Sequence, residues 1–259
     1  MDKSQDEKID KLKRFNQAMG VLHLVQGVLI LLLSTSSTMP VQQTLLDFDP
    51  ESGTVIQDRN VLLDMPLAPL VAIFLFCSAV AHFSVSTGRG FEWYASNLKK
   101  GINYARWYEY AVSSSVMVVL IAMLCGIWEL SALILMFALN ATMNLFGLMM
   151  ELHNQTTQKT NWTSYMFGSF AGLVVWIVLG IYFFGALLDS TDSVPWVVYL
   201  IFPILAAFFN IFAVNMILQY RGKGRYADYL HGEKVYVLLS LTSKSALAWL
   251  VFAGTRWPG

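Results

Sequence analysis

Seven stretches of this sequence, near 20–37, 67–87, 103–127, 131–152, 163–185, 196–220 and 233–255, stay apolar for close to the ~20 residues that a helix needs to cross a bilayer. In hydrocarbon a chain must satisfy its own backbone hydrogen bonds, so runs of this kind fold as helices. The charge content fits: 13% of the 259 residues are charged and 56% hydrophobic, whereas soluble domains carry about 25% charged residues. The reading is an all-α membrane protein, a single seven-helix domain over residues 1–259 with no second domain and no short-period repeat. The opening MDKSQDEKIDKLKRFNQ is charged with both signs and leads into a run without a small-residue cleavage site, which predicts a retained first helix.

The basic residues set the expected orientation. With the amino terminus in the cytoplasm, Lys3, Lys8, Lys11, Lys13, Arg14, Arg89, Lys99, Lys100, Lys159, Arg221, Lys223 and Arg225 lie inside, and Arg59 and Arg256 lie outside. That asymmetry of twelve against two is a positive-inside signal. It predicts a multi-pass protein of the cell membrane with a cytoplasmic amino terminus and an extracellular carboxyl terminus. The Asn-x-Thr matches at Asn154 and Asn161 then fall in a cytoplasmic loop and are discounted as glycan sites.

The one long connection, 38–66, places two strand-like runs around Asp49-Pro50-Glu51-Ser52-Gly53, which predicts a small extracellular β-hairpin between helices 1 and 2. It is placed to cover the outer mouth, to touch a neighbouring subunit, or to stand as a solvated loop. Cys77 and Cys125 lie in apolar runs without CxxC spacing and read as buried free thiols, with no metal site. The 17 basic and 17 acidic residues cancel, so charge makes no case for nucleic acid.

Lys244 stands near the middle of the last apolar run, EKVYVLLSLTSKSALAWLVFAGT. A cation at bilayer depth costs about 2.5–3.5 kcal/mol on insertion scales, and this one is too central to snorkel easily, so it is a functional candidate. Burial suits a lysine that joins an aldehyde as a Schiff base, because desolvation disfavours the ammonium and frees the nucleophilic amine. Such a lysine needs a counter-ion. Glu109 lies about six residues into helix 3, roughly 9 Å deep at 1.5 Å per residue. His23 is near the start of helix 1 and His82 near the end of helix 2, so both approach the same cytoplasmic level. Side chains lean toward a helix's amino terminus, which brings Lys244 toward them, with Ser240 one turn back on its face. Buried polar groups must find each other rather than lipid, so four helices are expected to bring these groups together.

The plainer readings are that each histidine bridges helices by a hydrogen bond, and that Glu109 pairs with Arg106 three residues earlier. Arg106 itself reads as interfacial. Ser113, in the run Ser113-Ser114-Ser115, lies one turn beyond Glu109 and is placed to bond the site or a water, with helix packing an equal reading. Met117, Met143, Trp176 and Phe209 suit a slot for a conjugated ligand, though such residues also form ordinary core. The outer halves of the seven segments hold no Asp, Glu, Lys, Arg or His, and the chain has no phosphate loop, zinc ligand set or serine elbow.

Seven helices with a lysine in the seventh resemble a retinal-binding rhodopsin. The segments RWYEYAVSSSVMVVLIAMLCGI (106–127), QYRGKGRYADYLHGEKVYVLLSLTSKSALAW (219–249), FNQAMGVLHLVQ (15–26) and AHFSVSTG (81–88) are similar to heliorhodopsin over essentially the whole chain. The inverted topology read from charge agrees with that family. The resemblance implies that Lys244 carries covalently bound all-trans retinal, that Glu109 is the counter-ion, and that Ser240 hydrogen-bonds within the site. It implies that His23 and His82 line a water-containing polar cavity, and that the pocket includes Tyr110, Ser114, Asn140, Met143, Trp176 and Phe209. It further implies a homodimer and a non-enzymatic light sensor with an unidentified cytoplasmic signalling partner, in which the Schiff base deprotonates without net pumping. The alternatives are a light-driven or light-gated transporter, disfavoured by the bare outer half, and a scaffold or non-retinal receptor, disfavoured by the Lys244 and Glu109 pair.

Overall fold

The computed structural model describes residues 3–189 and 196–256. Its elements run α1 (Lys3–Leu33), β1 (Thr38–Asp49), β2 (Thr54–Pro66), α2 (Leu67–Ser84), α3 (Gly88–Leu98), α4 (Tyr104–Leu124), α5 (Leu130–His153), α6 (Thr163–Asp189), α7 (Trp196–Arg221), a 3-10 turn (Gly224–Ala227) and α8 (Tyr229–Arg256). Among the described residues, seven helices are long and apolar enough to span a membrane, namely all but α3. The expected seven-helix bundle with a hairpin between its first two spans is therefore the observed fold.

α4 is the most buried of the seven spans and forms the centre of the bundle. Its Val118, Leu120, Ile121 and Ala122 pack with Phe74 and Leu75 of α2, Leu179 of α6, Leu205 of α7 and Leu247 of α8, all fully enclosed. Side chains on the outward faces, such as Leu32, Leu135, Phe170 and Leu188, are exposed as a bilayer-facing surface requires.

Helix ends differ from expectation in ways that matter for the site. The first helix starts at Lys3, not residue 20, and ends at Leu33 rather than 37. Its amino-terminal third is amphipathic, with Ile9 and Leu12 buried, and so gives no apolar run to read. It packs on α3, which the sequence reading did not anticipate: GRGFEWYASNL is too short and polar to span, yet buries Tyr94 and Leu98 against Ile9, Leu12 and Leu230. Ion pairs Lys99–Asp6 at 2.6 Å and Lys8–Asp228 at 2.8 Å fasten this layer, each exposed and contributing about 0–1 kcal/mol. α8 begins four residues earlier than predicted, and α6 ends later, at Asp189, so Asp189 and Arg256 fall in the last turns of their helices.

The hairpin strands span 12 and 13 residues, longer than a small hairpin, and pair antiparallel from Thr38↔Pro66 to Asp49↔Thr54 with an irregularity at Val41/Gln42. Asp49 organises the turn. Its backbone carbonyl accepts from Gly53 N at 2.9 Å, with Gly53 at φ +64°, and its carboxylate accepts from Ser52 Oγ at 2.6 Å and Glu51 N at 3.0 Å. The Ser52 bond, followed by that from the Glu51 backbone, holds the Asp49 carboxyl below its usual range. The strands are tied to the bundle where Glu129, at the start of α5, accepts from Thr44 N and Oγ1, both at 3.1 Å. Cys77 and Cys125 are free thiols, half-buried rather than fully enclosed as the sequence suggests. Asn154, one of the discounted sequon residues, caps α5 and accepts from Asn161 N at 2.7 Å, closing the α5–α6 connection.

Candidate functional site

Lys244 is 2% exposed, roughly midway along α8. Its Nζ donates to Glu109 Oε1 of α4 at 2.9 Å and to Ser240 Oγ, one turn back, at 2.9 Å. Ser78 of α2 donates to the same Glu109 oxygen at 2.7 Å. Three helices thus hold one ion pair, and each partner keeps a hydroxyl neighbour that compensates part of its lost hydration. Ser113 is fully buried one turn on from Glu109, as the helical spacing predicts.

A polar cavity of about 40 Å³ adjoins the pair on its α3 side, lined by Asn16, Ser78, His82, Asn103, Arg106, Glu109 and Ser240 among others. His82 Nδ1–H donates to Asn16 Oδ1 at 2.7 Å, an orientation fixed because Asn16 Nδ2 donates to Leu12 O at 2.9 Å. His23 stacks on the His82 ring with centroids 5.5 Å apart and planes 13° apart. Both His23 ring nitrogens are buried without a hydrogen-bond partner among the described residues. His23 therefore stands behind His82 and is not itself among the residues lining the cavity. Because α1 starts at Lys3, His23 also lies well inside that helix, not near its start.

On the other side of Lys244 lies a slot of about 120 Å³ between α4, α5, α6 and α7, lined by Tyr110, Ser114, Met117, Met143 and Phe209 as expected, and also by Trp107, Gly147, Phe212 and Tyr236. Asn140 and Trp176 stand one layer behind. Asn140 Nδ2 donates to Ser114 Oγ at 2.8 Å and to Ser115 Oγ at 3.0 Å, and the Trp176 ring packs edge-on against Phe209 at 5.4 Å. Ser113 faces Glu109 rather than the slot. Tyr110 OH donates to Tyr236 O at 2.9 Å, pinning α4 to α8 beside the lysine. The walls approach closely only because of glycine: a Cβ on Gly147 would meet the Trp107 ring at 2.2 Å, and one on Gly172 would meet Met143 Sδ at 2.5 Å. The slot is aromatic and apolar, and among the described residues the only amine on its wall is Lys244 Nζ. That donor set fits a flat conjugated aldehyde anchored at one end.

Arg106 departs from expectation. It is 7% exposed rather than interfacial, and it does not pair with Glu109. Its guanidinium bridges Glu151 of α5 and Glu233 of α8, and lies over the rings of Tyr236 at 3.9 Å and Trp107 at 4.5 Å. Glu151 also accepts from Asn103 N, Trp107 Nε1 and Tyr229 OH at 2.9, 2.7 and 3.1 Å. Glu233 accepts from Asn103 Nδ2 at 2.6 Å and Gln219 Nε2 at 3.2 Å. Asn103 meanwhile caps α4 by accepting from Arg106 N at 3.0 Å. Sequence reasoning missed both carboxylates because Glu151 sits in the last turn of α5 and Glu233 one turn inside the start of α8, near helix ends where an acidic residue ordinarily faces solvent. It also missed Ser78, which the spacing could have found, since Ser78 and His82 are four apart on one face of α2.

A family model described as Heliorhodopsin matches residues 12–256. A search of curated proteins finds no match to the chain.

Proposed function

Because the chain belongs to the heliorhodopsin family, and is thus a retinal-binding, light-sensing membrane protein of photoreceptor type, we propose that Lys244 carries all-trans retinal covalently, with Glu109 as counter-ion. The observation that carries this reading is the buried Lys244–Glu109 pair at the end of the aromatic slot. Bound retinal supplies visible absorption and a light-driven change of shape. Every remaining task falls to the protein. Glu109, 2.9 Å from Nζ, supplies the negative charge that favours a proton on the lysine nitrogen. Ser240 and Ser78 hold that geometry from either side. Tyr110, Ser114, Met143 and Phe209 line the slot and exclude water, with Asn140 and Trp176 buttressing them. His82, His23 and Ser113 make the environment into which the proton moves when light disturbs the pair.

Glu109→Gln tests the assignment. It removes the charge that favours a protonated nitrogen, so the dark absorption should shift toward the ultraviolet at neutral pH. A spectrophotometric titration identical to wild type would show that another anion serves.

Net pumping is not part of this function. Vectorial transport needs titratable groups or water on both sides of the switch. Among the described residues, the helix halves between Lys244 and the hairpin hold no Asp, Glu, Lys, Arg or His except Asp189 and Arg256 in the last turns of α6 and α8. Illuminated liposomes should therefore show no lasting pH change and no sustained current. A steady light-driven current lost in Lys244→Ala would favour the transporter reading instead. The charge asymmetry supports a cytoplasmic amino terminus and an extracellular hairpin. The exposed Leu46, Phe48 and Val55 of the hairpin support a homodimer.

A further inference from the structure

The ion cluster of Arg106, Glu151 and Glu233 takes no part in holding retinal, yet it borders the polar cavity beside the Lys244–Glu109 pair. Arg106 and Asn103 line that cavity, and both bond Glu233. With one cation and two carboxylates the cluster carries a net negative charge in a buried place, which favours uptake of one proton. The two carboxylates differ in readiness. Glu151 has two acceptor positions filled on each oxygen, two of the four by the Asn103 backbone N–H and the Trp107 indole, groups that cannot turn away. Among the described residues, Glu233 Oε2 takes one close hydrogen bond, from Asn103 Nδ2 at 2.6 Å, and so has more acceptor capacity left than either oxygen of Glu151.

Gln219 is the second observation. Its Nε2 donates to Glu233 Oε1 at 3.2 Å, while its Oε1 is buried with no donor among the described residues. A carboxylic acid at Glu233 supplies that donor, closing a two-bond acid–amide ring in which the acid O–H donates to Gln219 Oε1 and Gln219 Nε2 donates to the acid carbonyl. Arg106 Nε and Tyr236 OH are likewise buried without partners. The cavity of about 40 Å³, which Arg106 lines, has room for roughly two or three waters to carry a proton to Arg106. The titratable groups that face Glu233 are Arg106 and Tyr110 of α4, Glu151 of α5, Tyr220 of α7, Tyr229 and Tyr236 of α8, and Tyr94 of α3.

We propose that Glu233 is the store for the proton that leaves the Lys244 nitrogen after illumination, and that its protonation releases the Arg106 link between α4 and α8. This rests on the retinal reading above. The N–H bond breaks with its electron pair left on nitrogen, the proton passes along the cavity, and an O–H bond forms at Glu233. The Lys244 side loses one positive charge, and the cluster goes from net negative to neutral. Neutral Glu233 no longer forms an ion pair with Arg106, so the first turns of α8 and the 224–227 turn are freed at the end of the bundle remote from the hairpin.

Light-induced infrared difference spectroscopy on the retinal-loaded protein tests this. As the ultraviolet-absorbing state accumulates, a carboxylic C=O band should appear, shift in D2O, and vanish in Glu233→Gln. Gln219→Met, which removes the amide partner, should move the band to higher frequency, and it serves if Glu233→Gln does not assemble. The proposal is overturned if the ultraviolet-absorbing state forms in wild type without an acid band, or if the band ignores both substitutions, as a proton on Glu109 would make it do. If no visible band forms with retinal, it is the retinal reading that fails, whereas a visible band with no ultraviolet-absorbing state on illumination overturns the proposal.

Discussion

Lys244→Ala should abolish the visible band that forms when the protein is supplied with retinal, with no residual absorption at the wild-type position. Among residues whose burial the structure describes, Lys244 is the only buried lysine. The others stand on surfaces, as Lys8 and Lys99 do in exposed ion pairs with Asp228 and Asp6. None of them meets an enclosed aromatic slot. An exposed amine is protonated and hydrated at neutral pH, so it is a poor nucleophile and any imine it forms hydrolyses, whereas the amine at the slot is held dry against its acceptor. The alanine variant also leaves Glu109 without its cation. Ser78 still donates to that carboxylate, and the carboxyl can take up a proton, so the bundle should persist and the lost band will report chemistry and not collapse. A visible band that survives the substitution would contradict the assignment.

Arg106→Ala should be the most destabilising single change, by about 3–5 kcal/mol, because it leaves Glu151 and Glu233 buried together with no cation between them. The variant loses the two ion pairs and the stacking on Tyr236 and Trp107 as well. Arg106→Lys should rescue only part of the loss, since an ammonium cannot present the guanidinium's planar fork to two carboxylates at once. Adding Glu151→Gln and Glu233→Gln to Arg106→Ala should recover more, because it removes the uncompensated charge. Thermal denaturation followed by circular dichroism in detergent reads these differences. A loss no larger than the ~0–1 kcal/mol of an exposed ion pair would contradict the burial of the cluster.

These two residues also show what a single sequence makes legible. Lys244 announces itself, because a cation in the middle of an apolar run has no cheap explanation, and helix periodicity then points to Glu109, Ser240 and Ser113. The spans and the hairpin are legible for the same reason, since hydropathy and turn chemistry are local. Arg106 is different. Its partners lie 45 and 127 residues away, each near a helix end, and only the packing of α4, α5 and α8 brings them inside. The amphipathic start of α1 and the whole of α3 were hidden because their burial is against each other, across some eighty residues of chain, and their periodicity is too short to stand out. Asn140 and Trp176, expected in the ligand slot, sit behind its wall, a difference of one helix face that residue type alone does not reveal.

The central claim is that one lysine, paired with one carboxylate, anchors the chromophore. Borohydride reduction of the retinal-loaded protein under illumination, followed by mass-spectrometric peptide mapping, tests it without relying on any variant. The account predicts a single reduced retinyl adduct on the α8 peptide at Lys244. An adduct on any other lysine, or a visible band with no covalent adduct, would contradict it.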